Sequence, residues 1–284
     1  MTTRSNDTIR PDGAQGASAE GPAPYDAASH RATPQASRST ANPSASGAAR
    51  LEPSVFEGLR VAVTGGTSGL GLALVEALHR RGAAVAFVAR DKGRVAAVVR
   101  RLEGAHGFAG DVSSKEETHG LAMRLSGALG GLDVLVNNAS SLGPVPLALL
   151  ADTDCEDLEE ALATNLVGPF RLTKALLGSL AAAAREGRPA LVINITSDAA
   201  VTPYAGWGAY GASKAALLQM SRIWDQELEE HGVRVMAFDP GDMDTPLHAL
   251  AVPDADPTTL KRPGASAAEI LELIAGWTGR EVAA

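Results

Sequence analysis

Cysteine is nearly absent from this 284-residue chain: Cys155 stands alone, which excludes an internal disulfide and any metal site built on a cysteine cluster. The six histidines fall into no HExxH or comparable pairing, so no metal is expected. Aromatic residues make up only 4% of the chain, and there are just three tyrosines, so a tyrosine inside a motif carries weight. No apolar stretch approaches the length needed to cross a bilayer, and none resembles the apolar core of a signal peptide. Basic charge is also in short supply: 25 Lys and Arg face 33 Asp and Glu, giving a net charge of −8 and a pI near 5.3. A general nucleic-acid binder needs the opposite balance to displace counterions from phosphates. The expected setting is the cytoplasm, and the expected partner is a small molecule rather than a nucleic acid or a membrane.

Met1 to Arg50 consists mainly of Ala, Ser, Gly, Pro and Thr with scattered charges and one aromatic, Tyr25. Such a segment cannot bury enough apolar surface to offset the cost of ordering it. Asp7, Asp12, Glu20 and Asp26 interrupt its few arginines, which argues against an organelle presequence. Residues 1–54 are therefore expected to form a disordered low-complexity tail, and residues 55–284 a single α/β domain.

From Leu59 onward short apolar runs alternate with segments of helical period, the pattern of a parallel sheet covered on both faces. The runs predict strands at Arg60–Thr64, Ala84–Ala89, His106–Ala109, Asp133–Asn137, Pro189–Thr196 and Val233–Asp239. Helices are expected from Gly69 to before Gly82, and over Lys92–Glu103, Ser114–Leu129, Cys155–Ala184, Trp207–Glu230 and Ala267–Ala275. In the fifth of these, Ala216, Met220, Ile223, Trp224 and Leu228 recur at three- and four-residue steps. That stripe reads as core or subunit interface, core being the simpler expectation. Pro246, Pro253, Pro257 and Pro263 oppose regular structure between Pro240 and Arg262. This stretch, about residues 242–265, would lie beyond the carboxyl ends of the strands as a substrate cover.

Tyr210 and Lys214 are four residues apart, so on a helix both side chains leave one face and the lysine charge can reach the phenol. A tyrosine with a pKa of about 10 stays protonated at neutral pH, and each unit of lowering requires about 1.4 kcal/mol of preferential stabilisation of the phenolate. A neighbouring ammonium is the direct means, which leads to the expectation of a lowered Tyr210 pKa. Ser197, at the end of the apolar run Leu191–Ile195, could present its hydroxyl to the same substrate oxygen.

Upstream, Thr64-Gly65-Gly66-Thr67-Ser68-Gly69-Leu70-Gly71 sits where the first strand turns into the first helix. Glycines there let backbone approach a pyrophosphate, and the helix amides face its charge. The second strand ends in Ala89-Arg90. A carboxylate at that place would accept the adenosine ribose hydroxyls of NAD, whereas Arg90 offers a planar fork for a 2′-phosphate, so NADP(H) is expected in preference to NAD(H). The plainer reading pairs Arg90 with Asp91. Asp111 could hold the adenine edge or cap a helix beginning at Ser113 or Ser114.

These residues, with Asp111-Val112, Asn137-Asn138-Ala139, Asn165, Tyr210-Gly211-Ala212-Ser213-Lys214, Pro240-Gly241 and Thr245, resemble the short-chain dehydrogenase/reductase family over about Leu59 to Pro246. The resemblance implies a single Rossmann-like, doubly wound domain with strand order 3-2-1-4-5-6 and a seventh strand at the carboxyl end. It implies that Tyr210 is the general acid or base, that Ser197 holds the substrate oxygen, and that Lys214 lowers the tyrosine pKa and binds the nicotinamide ribose. Asn165 would support a water relay to the lysine. Gly65, Thr67, Ser68, Gly69, Leu70, Gly71, Val112, Asn137, Ala139, Pro240, Gly241 and Thr245 would contact the cofactor.

Three departures stand out. Ser140 replaces the usual glycine after Asn-Asn-Ala, and no basic residue precedes Gly69. The carboxyl end lacks the usual longer ending, so the seventh strand is expected to be vestigial, the tetramer contacts it often supports weakened, and a homodimer through the fourth and fifth helices preferred. The resulting expectation is an NADP(H)-dependent oxidoreductase of a small carbonyl or alcohol. The alternative is an NAD(P)-sensing regulatory protein without chemistry. A sugar-nucleotide epimerase is disfavoured because only about forty residues follow Thr245. Leu142, Val145, Leu147, Tyr204, Trp207, Leu247 and Leu250 suggest a partly apolar pocket, and Asp242 and Asp244 would disfavour acidic substrates.

Overall fold

The structure, a computed structural model, describes residues 55–281, so the expected tail over 1–54 lies outside the described residues. Six parallel strands form one sheet: β1 (Arg60–Thr64), β2 (Ala84–Ala89), β3 (His106–Ala109), β4 (Val134–Asn137), β5 (Leu191–Ile195) and β6 (Arg234–Phe238). Their order is β3-β2-β1-β4-β5-β6. The helices are α1 (Gly69–His79), α2 (Lys92–Arg101), α3 (Lys115–Leu129), α4 (Cys155–Leu162), α5 (Gly168–Arg185), α6 (Gly208–Glu227), α7 (Pro246–Ala251) and α8 (Pro263–Glu281). Among the described residues no helix is long and apolar enough to cross a membrane.

Alternation along the strands divides the core into two layers. Val61, Val63, Val134, Val136, Leu191 and Ile193 point to one face, where they meet Leu74 and Leu78 of α1 and Ile270, Leu271 and Ile274 of α8. Ala62, Leu135 and Val192 point to the other and pack on Leu125 of α3 and Leu172, Leu176 and Leu180 of α5. Burying each such aliphatic side chain contributes about 1.5–3 kcal/mol. The order in which strands are added reverses between β1 and β4, so a crevice opens beyond their carboxyl ends.

Three expectations need correction. The single long helix over Cys155–Ala184 is α4 and α5 joined by a wider turn at Ala163–Val167, in which the Gly168 amide reaches back to the Ala163 carbonyl. Pro169 is the cause, since it has no N–H to close on the Asn165 carbonyl four residues earlier. Of the stripe Ala216, Met220, Ile223, Trp224 and Leu228, only Leu228 is buried in the core and Trp224 packs against it; α6 otherwise buries Tyr210, Ser213, Lys214, Leu217 and Ser221, and Ile223 is 46% exposed. Finally, the last helix is longer than expected, and no seventh strand occurs among the described residues. Ala267, Ile270, Leu271 and Ile274 of α8 form a stripe of helical period, and it is this face that closes the core over α1.

Candidate active site

At the end of β1 the chain turns away from the sheet through Gly65, whose φ of +70° is costly for any residue with a side chain. The Gly65 amide donates to the Val88 carbonyl at 2.8 Å. Thr64 Oγ1 accepts from the amides of Asn138 and Ala139, both at 2.9 Å, and Asn138 Nδ2 donates back to the Thr64 carbonyl at 2.8 Å. These bonds lock the glycine turn to the end of β4. A Cβ on Gly71 would stand 2.2 Å from the Gly65 carbonyl oxygen, so this glycine lets α1 approach the turn and does not line the crevice. Ser68 at the N-cap of α1 makes no side-chain capping bond, which leaves the first amides of the helix open to an anion.

The crevice has a volume of about 630 Å³. Gly65, Thr67, Ser68, Gly69 and Leu70 line its floor, and Thr245 crosses above: a Cβ on Gly69 would lie 3.1 Å from Thr245 Cγ2. Thr245 also caps α7 by accepting from the His248 amide at 3.2 Å, and Pro240 and Gly241 line the same wall. A narrow slot with glycine on one side, open helix amides at its base and a basic far end fits a dinucleotide.

That far end lies beyond β2. Asp91 caps α2, its Oδ1 accepting from the Arg94 amide at 3.0 Å, and its carboxylate faces the Arg94 guanidinium at 3.7 Å. The capping bond to Arg94, opposed by a small desolvation effect, holds the Asp91 carboxyl below the usual range. Arg90 thus does not pair with Asp91, and among the described residues its side chain makes no hydrogen bond or ion pair. Arg94, one helical turn on, also lines the crevice; the sequence reading missed it, although its spacing from Arg90 was visible. Asp111 Oδ1 accepts from the amide and hydroxyl of Ser113, while Ser114 caps α3, so Asp111 stabilises a turn at the crevice wall beside Val112.

Asn137 is where the residue-by-residue expectation fails. Its side chain points into the interior, where Nδ2 donates to Thr173 Oγ1 at 3.1 Å and Asn194 Oδ1 at 2.8 Å, and it does not line the crevice. The side chain that does is Asn138, alongside Ala139. Successive strand residues face opposite ways, and the last residue of β4 takes the inward side.

At the other end of the crevice stand Ser197, Tyr210 and Lys214. Ser197 caps a short turn over Asp198–Ala200 by accepting from the Ala199 amide, and its hydroxyl donates to Asp198 Oδ1 at 3.0 Å. Tyr210 is 8% exposed, and its ring meets the edge of Trp207 at 5.7 Å between centroids. Lys214 is 2% exposed; Nζ donates to the Ile195 carbonyl at 2.8 Å and lies 5.4 Å from the Tyr210 ring centroid. Leu142 and Ala199 pack on Tyr210, with Leu147, Trp207 and Leu247 around them, whereas Val145 points to solvent.

The electrostatics correct the expectation of a lowered phenol pKa in the protein alone. Burial pushes Tyr210 up to about 12, against the pull of the Ser197 and Ser140 hydroxyls, while the Asp239 and Asp198 charges add to the rise. Loss of hydration likewise pushes Lys214 down to about 7. Both groups share one buried site, where the charged form of each is penalised. Ser140, which departs from the family pattern, places a hydroxyl beside the phenol and also donates to Asn165 Oδ1 at 3.1 Å.

Asn165 is wholly buried in the wider turn after α4. Its Oδ1 accepts from Ser140 Oγ and from the Ser141 amide, and its Nδ2 donates to the Ser141 carbonyl at 2.7 Å and to Ser213 Oγ at 2.8 Å. The side chain is saturated, so it holds the Ser140-Ser141 loop against α6. Its main-chain carbonyl receives no donor from Pro169, which has no N–H.

A family model described as short chain dehydrogenase matches residues 60–256. L-fucose dehydrogenase of Mus musculus is 32% identical over 203 residues, covering 71% of this chain and 72% of that protein. Among solved structures, 3-ketoacyl-(acyl-carrier-protein) reductase from Brucella melitensis complexed with NADH superposes with a TM-score of 0.72 at 25% identity, over 77% of this chain and 91% of that one. A short chain dehydrogenase from Burkholderia cenocepacia J2315 in complex with NADP gives a TM-score of 0.67 at 26% identity, over 77% and 91%. The glycine turn, the sheet order and these matches agree: the chain belongs to the short-chain dehydrogenase family, NAD(P)-dependent oxidoreductases acting on CH–OH and C=O groups.

Proposed function

We propose that this protein is an NADP(H)-preferring oxidoreductase that interconverts a small alcohol and its carbonyl compound, with Tyr210 as general acid and base. The observation that carries the reading is the convergence of Tyr210, Ser197 and Lys214 on one end of a crevice whose floor is the Gly65–Leu70 turn. The dinucleotide supplies the hydride acceptor for alcohol oxidation or the hydride donor for carbonyl reduction. Ser197 engages the substrate oxygen. Tyr210 takes the alcohol proton in oxidation and returns it in reduction. Lys214, the nearest cation, favours the phenolate once its ammonium is retained in the filled site, and the Asn165 carbonyl is the outlet through which a water would exchange that proton.

The preference for NADP(H) rests on Arg90 and Arg94, two guanidinium groups at the end of β2 with no carboxylate committed to Arg90. Solved relatives hold either NADH or NADP, so the reading is supported by this local chemistry alone. We further propose a homodimer through α5 and α6. Phe170 and Trp224 stack at 5.3 Å, and with Leu166, Met220 and Ile223 they form an exposed apolar groove.

The test is consumption of NADPH and NADH against a panel of ketones, aldehydes, quinones and pterins. Turnover of at least one compound, faster with NADPH at limiting concentration, is expected. Tight dinucleotide binding without turnover of any would instead favour a sensing role.

A further inference from the structure

The substrate end of the crevice carries a feature the hydride-transfer reading does not use. Asp198 follows Ser197 directly, and its partners are all neutral: Oδ1 accepts from Ser197 Oγ at 3.0 Å and Oδ2 from Tyr204 at 2.7 Å, with weaker support from the Ala199 and Asp198 amides. No Lys, Arg or His among the described residues lies within ion-pair distance of Asp198 or Asp239, and Asp242 has only His248 Nε2 at 3.9 Å. All three carboxylates line the crevice, and the charges of Asp198 and Asp239 act on Tyr210. Its guanidinium groups, Arg90 and Arg94, are at the β2 end; at this end Lys214 is buried on the Ile195 carbonyl and His248 stands beside Asp242.

We infer that the substrate is a vicinal amino alcohol or the corresponding amino ketone, with Asp198 as the carboxylate that recognises its ammonium group. The inference rests on the proposed function, because Ser197 must engage the reacting oxygen. Ser197 Oγ and Asp198 Oδ1 are 3.0 Å apart, comparable to the gap between the oxygen and nitrogen of a gauche 1,2-amino alcohol. The ammonium can therefore donate to Asp198 in place of Ser197, whose released hydroxyl turns to the substrate oxygen while that oxygen's own proton faces Tyr210. An ionised carboxylate has lone pairs to spare after two hydroxyl donors, and the faces of Tyr204 and Trp207 are compatible with a cation. A substrate carboxylate would meet three like charges with no guanidinium to receive it.

The experiment uses three compounds of formula CH₃–CH(OH)–CH₂–X that differ only in X: 1-amino-2-propanol, 1,2-propanediol and 3-hydroxybutyrate. Their binding to the NADP-loaded full-length protein is measured by calorimetry near neutral pH, with nicotinamide reduction followed in parallel. The amine should bind roughly tenfold tighter than the diol, and 3-hydroxybutyrate weakest, in line with a charge-assisted hydrogen bond in a partly dry crevice. Asp198→Asn, which keeps an acceptor for Ser197, should bring the amine and the diol within about twofold. Equal binding of amine and diol, a preference for 3-hydroxybutyrate, absence of amine binding at high concentration, or an unchanged ratio in Asp198→Asn would each overturn the inference. Should Asp198→Asn fail to fold, the wild-type ranking still decides. The expected ranking without nicotinamide reduction would leave amine recognition standing and remove the oxidoreductase reading alone.

Discussion

Lys214 Nζ donates to the Ile195 carbonyl at 2.8 Å while lying 5.4 Å from the centre of the Tyr210 ring, with no carboxylate compensating its charge. The lysine is therefore a buried cation held by one main-chain oxygen. Its folded pKa, near 7, lies below the ordinary value of 10.5, so between those values the unfolded chain binds the extra proton. Stability attributable to this group is present in full above 10.5 and is lost as pH falls through 7.

Lys214→Met should consequently be more stable than the wild type at pH 6, by on the order of 2 kcal/mol, an advantage that shrinks as pH rises from 7 toward 10. Denaturant midpoints across this range check it. The same variant should lose turnover at every pH.

Arg90 and Arg94 set the second prediction. Arg90→Ala should weaken NADP binding about tenfold or more and leave NAD binding within about twofold, and Arg94→Ala should act in the same sense more weakly, since Arg94 already faces Asp91. Dissociation constants for both dinucleotides, measured on each variant, test the assignment.

A third prediction concerns the base of the sheet. Asp133 is fully buried, with Arg60 Nη2 at 2.7 Å from Oδ1 and Arg188 Nη2 at 2.6 Å from Oδ2. Burial alone would push its carboxyl up, but the hydrogen bonds from Arg188 and Arg60 outweigh this and hold it below 3.8. Its contribution is thus present above 3.8 and lost as pH falls through the lower folded value. Asp133→Asn strands two guanidinium groups and should cost about 3–5 kcal/mol at pH 7. The gap between variant and wild type should narrow in urea titrations below pH 4.

Much of this was legible in the chain. The apolar runs at Arg60–Thr64, Ala84–Ala89 and His106–Ala109 gave strands with the bounds expected, because short β-branched and alanine-rich runs between glycines have few alternatives. Helix interiors read less well where tertiary contacts decide. Pro169 announced the break after Asn165, yet the surrounding periodicity masked it. The stripe through Met220 and Ile223 has the same period as a core face, and periodicity cannot tell a core from an unpartnered surface. Residue types marked the catalytic end, but the hydrogen bond from Ser197 to Asp198 and the saturation of Asn165 depend on loop geometry that spacing does not encode.

The exposed groove along α5 and α6 yields a prediction on assembly. Ile223 is 46% exposed and Phe170 39%. Ile223→Lys should turn a dimer into a monomer in sedimentation velocity, with little change in the melting temperature of the protomer. A wild-type chain that sediments as a monomer at micromolar concentration would remove the proposed interface.

The central claim is that the Tyr210 hydroxyl moves the proton that accompanies hydride transfer. Tyr210→Phe keeps the ring that packs against Trp207 and Leu142 and removes only the oxygen. With a substrate from the carbonyl panel, the account predicts NADPH affinity within about twofold of wild type and a fall in kcat of at least a hundredfold. A kcat close to that of the wild type in a variant that binds NADPH normally would contradict it.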